Sequence, residues 1–202
     1  DYLRVRLLKR EIMLGDPLLN FDKLLFCKRA QPSYSHLVGQ YFGWRQRPGG
    51  GLFVLEDPGR SLRARDLVGA QLPPGSFLEP CLSYDGKRIA FSFVACPAQP
   101  PDSKTLPVNE QGGEEAYFHL HEINADGTGL KRLMSSPGVD TEAWFAPDGR
   151  SILFTSDRGG SPQIYRLNLG SGAVERLTFD GSYNVSARPL PDGKGFVFVR
   201  RD

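Results

Sequence analysis

Four short segments of this chain share one pattern: an apolar residue, a turn built on aspartate, and then a run of apolar residues. They run from Leu19 to Phe26, Leu82 to Phe91, Phe145 to Phe154 and Leu190 to Phe198. Their aspartates, Asp22, Asp85, Asp148 and Asp192, stand 63, 63 and 44 residues apart. A step of about 44 residues is the length of one four-stranded propeller blade, and each longer step fits one blade plus an insertion. In three of the units the aspartate precedes a glycine, a pair that supplies the positive φ angles of a tight hairpin turn. The apolar residues that follow form a strand. Ile152, Leu153 and Phe154 are a continuous apolar run, as expected for a strand covered on both faces.

The third unit shows the whole blade. Its periodicity predicts strands at roughly 141–146, 151–156, 163–168 and 173–178. Ser156 to Gly160 and Gly170 to Gly172 supply the breaks between them. The second unit repeats the order, with strands over Ile89 to Phe93, Tyr117 to Ile123 and Leu130 to Leu133, and a turn at Asn124 to Gly129. A single blade of this kind has two apolar faces and cannot bury them alone, so it must stack on its neighbours. The chain therefore reads as all-β: a β-propeller of four-stranded antiparallel blades, partial, with about three and a half blades. The expected division is a lead-in segment over 1–18 and blades near 19–76, 77–138, 139–180 and, incomplete, 181–202. An incomplete ring leaves an exposed edge strand near Phe196, Val197 and Phe198, a pairing hazard.

Composition agrees. Of 202 residues, 40% are hydrophobic, which suits a packed core, and the 23 glycines and 16 prolines call for many turns. Basic and acidic residues nearly cancel, at 25 against 23, so no electrostatic footprint for nucleic acid follows. Arg4, Arg6, Lys9 and Arg10 read as a solvated face. No apolar run reaches the 18 residues of a membrane span. Cys27, Cys81 and Cys96 include no Cys-x-x-Cys pair, which excludes metal-finger spacing and covalent haem attachment within these residues. They read as buried free thiols, with one disulfide plus a spare thiol as the alternative.

The insertions occupy the same place in their units, between the second and third strands. In the second unit the insertion, Cys96 to Gly113, is polar. In the first, Arg29 to Gly51, it carries Tyr34, His36, Tyr41, Phe42 and Trp44 and ends on Gly49, Gly50 and Gly51. In a propeller both loops fall on the face that also carries the links between blades. Loops on a rigid scaffold are where binding tends to reside. The aromatic loop packing down as a small satellite core is the alternative.

The stretch from Asp140 to Asp202 resembles the TolB family. The resemblance is carried by Phe145 to Gly149, by Phe154 to Tyr165 and by Arg176 to Asn184. It implies a six-bladed propeller attached to an N-terminal domain, in a periplasmic protein that maintains the envelope by binding Pal and other Tol proteins. Residues 11–134 are similar, more weakly, to propellers of the type found in the middle domain of the hydrazine synthase α subunit, through Asp16 to Phe26 and Gly49 to Leu52. That family's haem-attachment motif is absent here, so no redox role carries over.

No catalytic constellation emerges. The nucleophile elbow Gly-x-Ser-x-Gly does not occur. His119 and His121 alternate onto one face of a strand, but no further ligand spacing completes a metal site. Asn124, Asp126 and Gly127 resemble the opening of a calcium loop that lacks its later glutamate, and a hairpin turn explains them. The three glycines at 49–51 lack the Gly-Lys-Ser/Thr ending of a phosphate loop and read as a hinge. Asp140, Glu142, Asp157 and Asp180 offer carboxylates, but Asp157 beside Arg158 reads as a charge-assisted bond that fixes a loop.

The sequence thus predicts a non-catalytic, protein-binding propeller in the periplasm, with no cofactor and no metal. Its expected partner, by resemblance, is a Pal-like envelope lipoprotein or another Tol protein. Candidate contacts are Asp157, Arg158, Tyr183 and Asn184 on blade-top loops, and Tyr41, Phe42 and Trp44 on the insertion. The alternative is a propeller domain of a larger enzyme, a serine peptidase or a hydrazine-synthase-like redox complex, whose catalytic part lies outside this chain.

Overall fold

The computed structural model describes residues 1–19, 21–32, 46–58, 60–97 and 116–201. Apart from one helix and short 3₁₀ turns, these residues form antiparallel strands. The first sheet contains β1 (Lys23–Lys28), β2 (Gly51–Glu56) and β3 (Ala64–Asp66), in that order. The second contains β4 (Gly75–Leu82), β5 (Arg88–Ala95), β6 (His119–Asn124) and β7 (Lys131–Arg132). The third contains β8 (Asp140–Phe145), β9 (Ser151–Ser156), β10 (Gln163–Asn168) and β11 (Val174–Arg176). A two-stranded sheet of β12 (Tyr183–Pro189) and β13 (Phe196–Arg201) follows.

The sheets stack in chain order, each by its first strand. β4 packs across β1 and β2, β8 across β4, β5 and β6, and β12 across β8, β9 and β10. This is the face-to-face stacking of successive propeller blades, with no closed ring among the described residues.

Alternation along the second strand of each sheet explains the stacking. On β5, Ile89, Phe91 and Phe93 join Leu52, Val54 and Leu67 in the core between the first and second sheets. Ala90, one residue out of phase, joins Phe145, Ile152 and Phe154 between the second and third. On β9, Leu153 turns the other way and meets Ile164 and Ala187 beneath the last sheet. The apolar run over 152–154 is therefore covered on both faces, as its sequence predicts.

The Asp–Gly turns work differently from the expectation. Only the glycines take positive φ: 71° at Gly86, 66° at Gly149 and 70° at Gly193. Each aspartate instead accepts a hydrogen bond at Oδ1 from the backbone N–H two residues on: Lys87 at 3.1 Å, Arg150 at 2.9 Å and Lys194 at 3.0 Å. The side chain imitates a backbone turn, and the glycine supplies the left-handed step. Asp126 does the same for Thr128 at 2.9 Å, which accounts for the resemblance of its segment to a calcium loop.

A second periodic feature has no signature in glycine. The first strands β4, β8 and β12 each carry a register shift, and each shift holds a left-handed residue: Glu79 (φ 47°), Glu142 (φ 57°) and Ser186 (φ 59°). These residues stand 63 and 44 apart, the same steps as the turn aspartates. A bulge of this kind strengthens the local twist and re-aims side chains.

The three glycines at 49–51 are also more than a hinge. The Gly50 N–H donates to Gly75 O at 3.2 Å, and a Cβ on Gly50 would lie 2.9 Å from Lys28 O. They let the first sheet close against the start of β4.

The lead-in is helical: α1 spans Tyr2–Leu14 and buries none of its residues. Leu, Arg, Lys, Glu and Met are strong helix formers, and neither Pro nor Gly interrupts them before Gly15. The basic cluster Arg4, Arg6, Lys9 and Arg10 lies on this helix. It is not long enough to cross a membrane, nor is any other described helix.

Candidate functional site

Buried polar side chains gather where one sheet passes to the next. Two such junctions can be compared because their residues correspond at a spacing of 44: His119 with Gln163, Ser136 with Asp180, and Asp140 with Asn184.

At the junction of the second and third sheets the central residue is Asp140, which is fully buried. Its Oδ2 accepts the Ser136 hydroxyl at 2.6 Å, and its Oδ1 takes Nη2 of Arg158 at 2.6 Å. His119 Nδ1 stands 3.5 Å from Oδ2, a long polar approach. Burial pushes the Asp140 carboxyl upward, but His119, the Arg158 charge and the Ser136 hydroxyl outweigh it and hold the group below the usual carboxylate range. Arg158 is itself clasped, with its guanidinium carbon 5.2 Å from the ring centroids of both Phe154 and Tyr165. Its Nε donates to Ser156 Oγ at 2.9 Å.

The next junction uses neutral groups. Asn184, also fully buried, donates from Nδ2 to Gln163 Oε1 and to Asp180 O, both at 2.8 Å. Thr178 donates to the same Gln163 oxygen at 2.7 Å. Among the described residues no donor reaches Asn184 Oδ1, the atom that corresponds to the Arg158 side of Asp140.

Of the four blade-top candidates, Asp157 and Arg158 belong to the junction of the second and third sheets and Asn184 to the next one, where its N–H donates to Pro162 O at 2.9 Å and Gln163 Nε2 donates to Gly181 O at 3.2 Å. Their surroundings differ. Asn184 has no exposed surface, and the Arg158 side chain keeps 19%. Asp157 does not pair with Arg158; its Oδ1 accepts the Val139 N–H at 2.7 Å, while Arg158 pairs with Asp140. The loop is thus fixed by two bonds to neighbouring segments rather than by one within itself. Tyr183 is exposed, and so is Phe179, which lies in the family motif over Arg176 to Asn184. Phe179 is 72% exposed with Arg176 stacked on it at 5.3 Å. The available signal was an aromatic in the link between two sheets, where no core requires one. Tyr41, Phe42 and Trp44 lie outside the described residues.

The remaining candidates are used separately. His121 stacks on Phe91, with ring centroids 5.6 Å apart, and does not converge with His119. Among the described residues no three His, Cys, Asp or Glu side chains gather as a metal site. All three cysteines are free, and burial pushes the Cys96 thiol up to about 12.

Stacked antiparallel sheets, the second, third and last of them entered by a bulged first strand and an aspartate-closed turn, place the chain in the β-propeller class. The profile of the TolB beta propeller domain matches residues 87–202, more than half of the chain, and the chain belongs to that family. A 46-residue stretch is 59% identical to the Tol-Pal system protein TolB of Bordetella pertussis. That stretch is 23% of this chain and 10% of the Bordetella protein. A putative TolB from Agrobacterium tumefaciens superposes with a TM-score of 0.57 at 24% identity, over 76% of this chain and 46% of that one. The Kuenenia stuttgartiensis hydrazine synthase superposes with a TM-score of 0.55 at 14% identity, over 88% of this chain and 27% of that one. The chain thus spans less than half of these solved relatives, and at such identities they share its fold.

Proposed function

We propose that this propeller segment is a protein-binding module of a Tol-Pal type envelope system, acting in the periplasm and without chemistry of its own. The observation that carries the reading is the 46-residue match at 59% identity to a Tol-Pal system protein. In this reading the blades run near 19–76, 77–138 and 139–180, with an incomplete one over 181–202.

The partner is a Pal-like envelope lipoprotein or another Tol protein. It meets the propeller on the face where the links between sheets emerge. Tyr183 and Phe179 are the anchoring side chains there, because exposed aromatics give large contact area at low entropic cost. Asp157 contributes at the rim, and Tyr41, Phe42 and Trp44 extend the surface from the insertion. Arg158 and Asn184 act from beneath, holding the two loops in place.

The test is binding of the folded 202-residue chain to the periplasmic domain of Pal, measured by calorimetry. A measurable Kd is expected, weakened about tenfold or more by the double change Tyr183→Ala and Phe179→Ala, as for a typical hot-spot pair. No binding by a chain shown to be folded would overturn the proposal.

A further inference from the structure

Helix α1 reverses the usual pattern of a surface helix. A helix lying on a folded domain turns its apolar stripe inward and its polar side to water. In α1 the half-buried residues are Leu7, Arg10 and Leu14, so that side faces the first sheet. There Glu11 and Leu14 line a cleft of about 540 Å3 together with Asp16, Asp22, Asp57 and Arg60. The opposite side carries Tyr2, Val5, Leu8 and Ile12, at intervals of 3, 3 and 4 residues, which is the spacing of a single helical stripe. Each of these side chains is more than half exposed, and Met13 beside them is too.

Cations border the stripe. At about 100° per residue, Arg4 falls on one flank next to Leu8, and Lys9 and Arg6 fall on the other, around Tyr2. The Arg6 guanidinium carbon lies 5.8 Å from the Tyr2 ring centroid. Arg4, Arg6 and Lys9 are exposed, and among the described residues none of them has a carboxylate partner. The one carboxylate of α1, Glu11, is turned to the cleft on the inner side. The outer side is therefore apolar along its middle and cationic along both borders.

We propose that α1 is a membrane-surface anchor, which lies flat in the headgroup region of an anionic phospholipid bilayer. Val5, Leu8 and Ile12 enter the boundary of the acyl chains, and Arg4, Arg6 and Lys9 meet the lipid phosphates. The aliphatic stem of Lys9 follows the stripe while its ammonium stays at headgroup level. Thirteen residues make a rod of about 20 Å, too short to span a bilayer and long enough to lie on one. The charge selects the occupant. A second copy docked on this face would set its own cationic borders against these, whereas a phosphate surface complements them.

Flotation of the folded 202-residue chain with lipid vesicles tests this. The chain should float with vesicles of phosphatidylcholine mixed with phosphatidylglycerol, should not float with phosphatidylcholine alone, and should be released by salt. Each cation near an anionic surface contributes about fivefold to affinity, so the triple change Arg4→Gln, Arg6→Gln and Lys9→Gln should weaken binding about a hundredfold. The change Val5→Ala, Leu8→Ala and Ile12→Ala should weaken it about tenfold or more at unchanged charge. All six sites are exposed and receive strong helix formers, and circular dichroism checks that both variants keep the wild-type fold. No binding to the mixed vesicles, or equal binding to both kinds, would overturn the proposal. So would a dimer seen by light scattering without lipid that the alanine variant abolishes, because a second copy would then cover this face. None of these measurements involves Pal, so their outcome does not depend on the partner at the links between sheets.

Discussion

At the scale of single residues, the chain uses one short acidic side chain in two ways. Asp85, Asp148 and Asp192 are exposed or half-exposed turn residues whose Oδ1 holds the N–H two residues on. Replacing Asp148 by alanine should cost about 1 kcal/mol, the usual net worth of one such bond, read as a lower urea midpoint. Gly149→Ala should cost a similar amount for a different reason, because its φ of 66° is strained for any residue with a Cβ. Asp140 is the opposite case, a buried charge whose neighbours exist to hold it. Asp140→Ala strands Arg158 in a nearly closed site, and the expected loss is about 3–5 kcal/mol by chemical denaturation. The pair also sets an acid limit. Because the Asp140 carboxyl is held below its unfolded value, its stabilisation is present at neutral pH and fades as pH falls through the acid range. The turn aspartates were legible from their spacing, although their hydrogen-bonding role was not. Asp140 was not legible as a buried charge, because its partners, 4, 18 and 21 residues away at Ser136, Arg158 and His119, belong to three different segments.

At the scale of strands, the alternation of apolar residues carried most of the information. Strands β8, β9 and β10 fall within a residue of where the sequence places them, because each is a short, largely buried run bounded by turn residues. The bulges were invisible because their left-handed residues are Glu79, Glu142 and Ser186 rather than glycines, so no compositional mark identifies them. Helix α1 was missed because its apolar residues fall on both sides, Leu7 and Leu14 inward and Val5 and Ile12 outward, which blurs the period; its propensity is the clearer signal. The distinction between buried and exposed aromatics gives a sharp comparison within the third sheet and its link. Phe154 has no exposed surface and packs with Phe145, Ile152 and Leu167. Phe154→Ala should cost about 3–5 kcal/mol of stability. Phe179→Ala should fall within about 0.5 kcal/mol of wild type in the same assay while weakening partner binding. If Phe179 proved as costly to stability as Phe154, its side chain would have to be packed rather than offered to a partner.

At the scale of the whole molecule, the repeated unit explains both how the chain holds together and where it is open. Each sheet is useful only as a cover for the next: β5 and β9 have apolar residues on both faces, and neither face is buried without the neighbouring sheets. The longer steps of 63 residues leave this stacking unchanged, since the extra length is confined to connections between paired strands. The same logic leaves a boundary at β13, which among the described residues pairs only with β12. Val197 and Val199 are each 57% exposed there, and the backbone groups on the outer edge face no strand of the described chain. An apolar, unpaired edge of six residues is a template for a further strand. Two copies of the 202-residue chain can meet at it in antiparallel register, which sets Val197 opposite Val199 and Phe198 opposite its own counterpart and keeps the arginines of one copy away from those of the other. Light scattering on the purified chain should therefore show concentration-dependent dimers. The double change Val197→Lys and Val199→Lys should return the chain to a monomer without lowering its unfolding midpoint appreciably, because both side chains are already half in water. A wild-type chain that stays monomeric at high concentration would show that β12 and β13 protect this edge by themselves, and would remove the stacking rule as the reason for its reactivity.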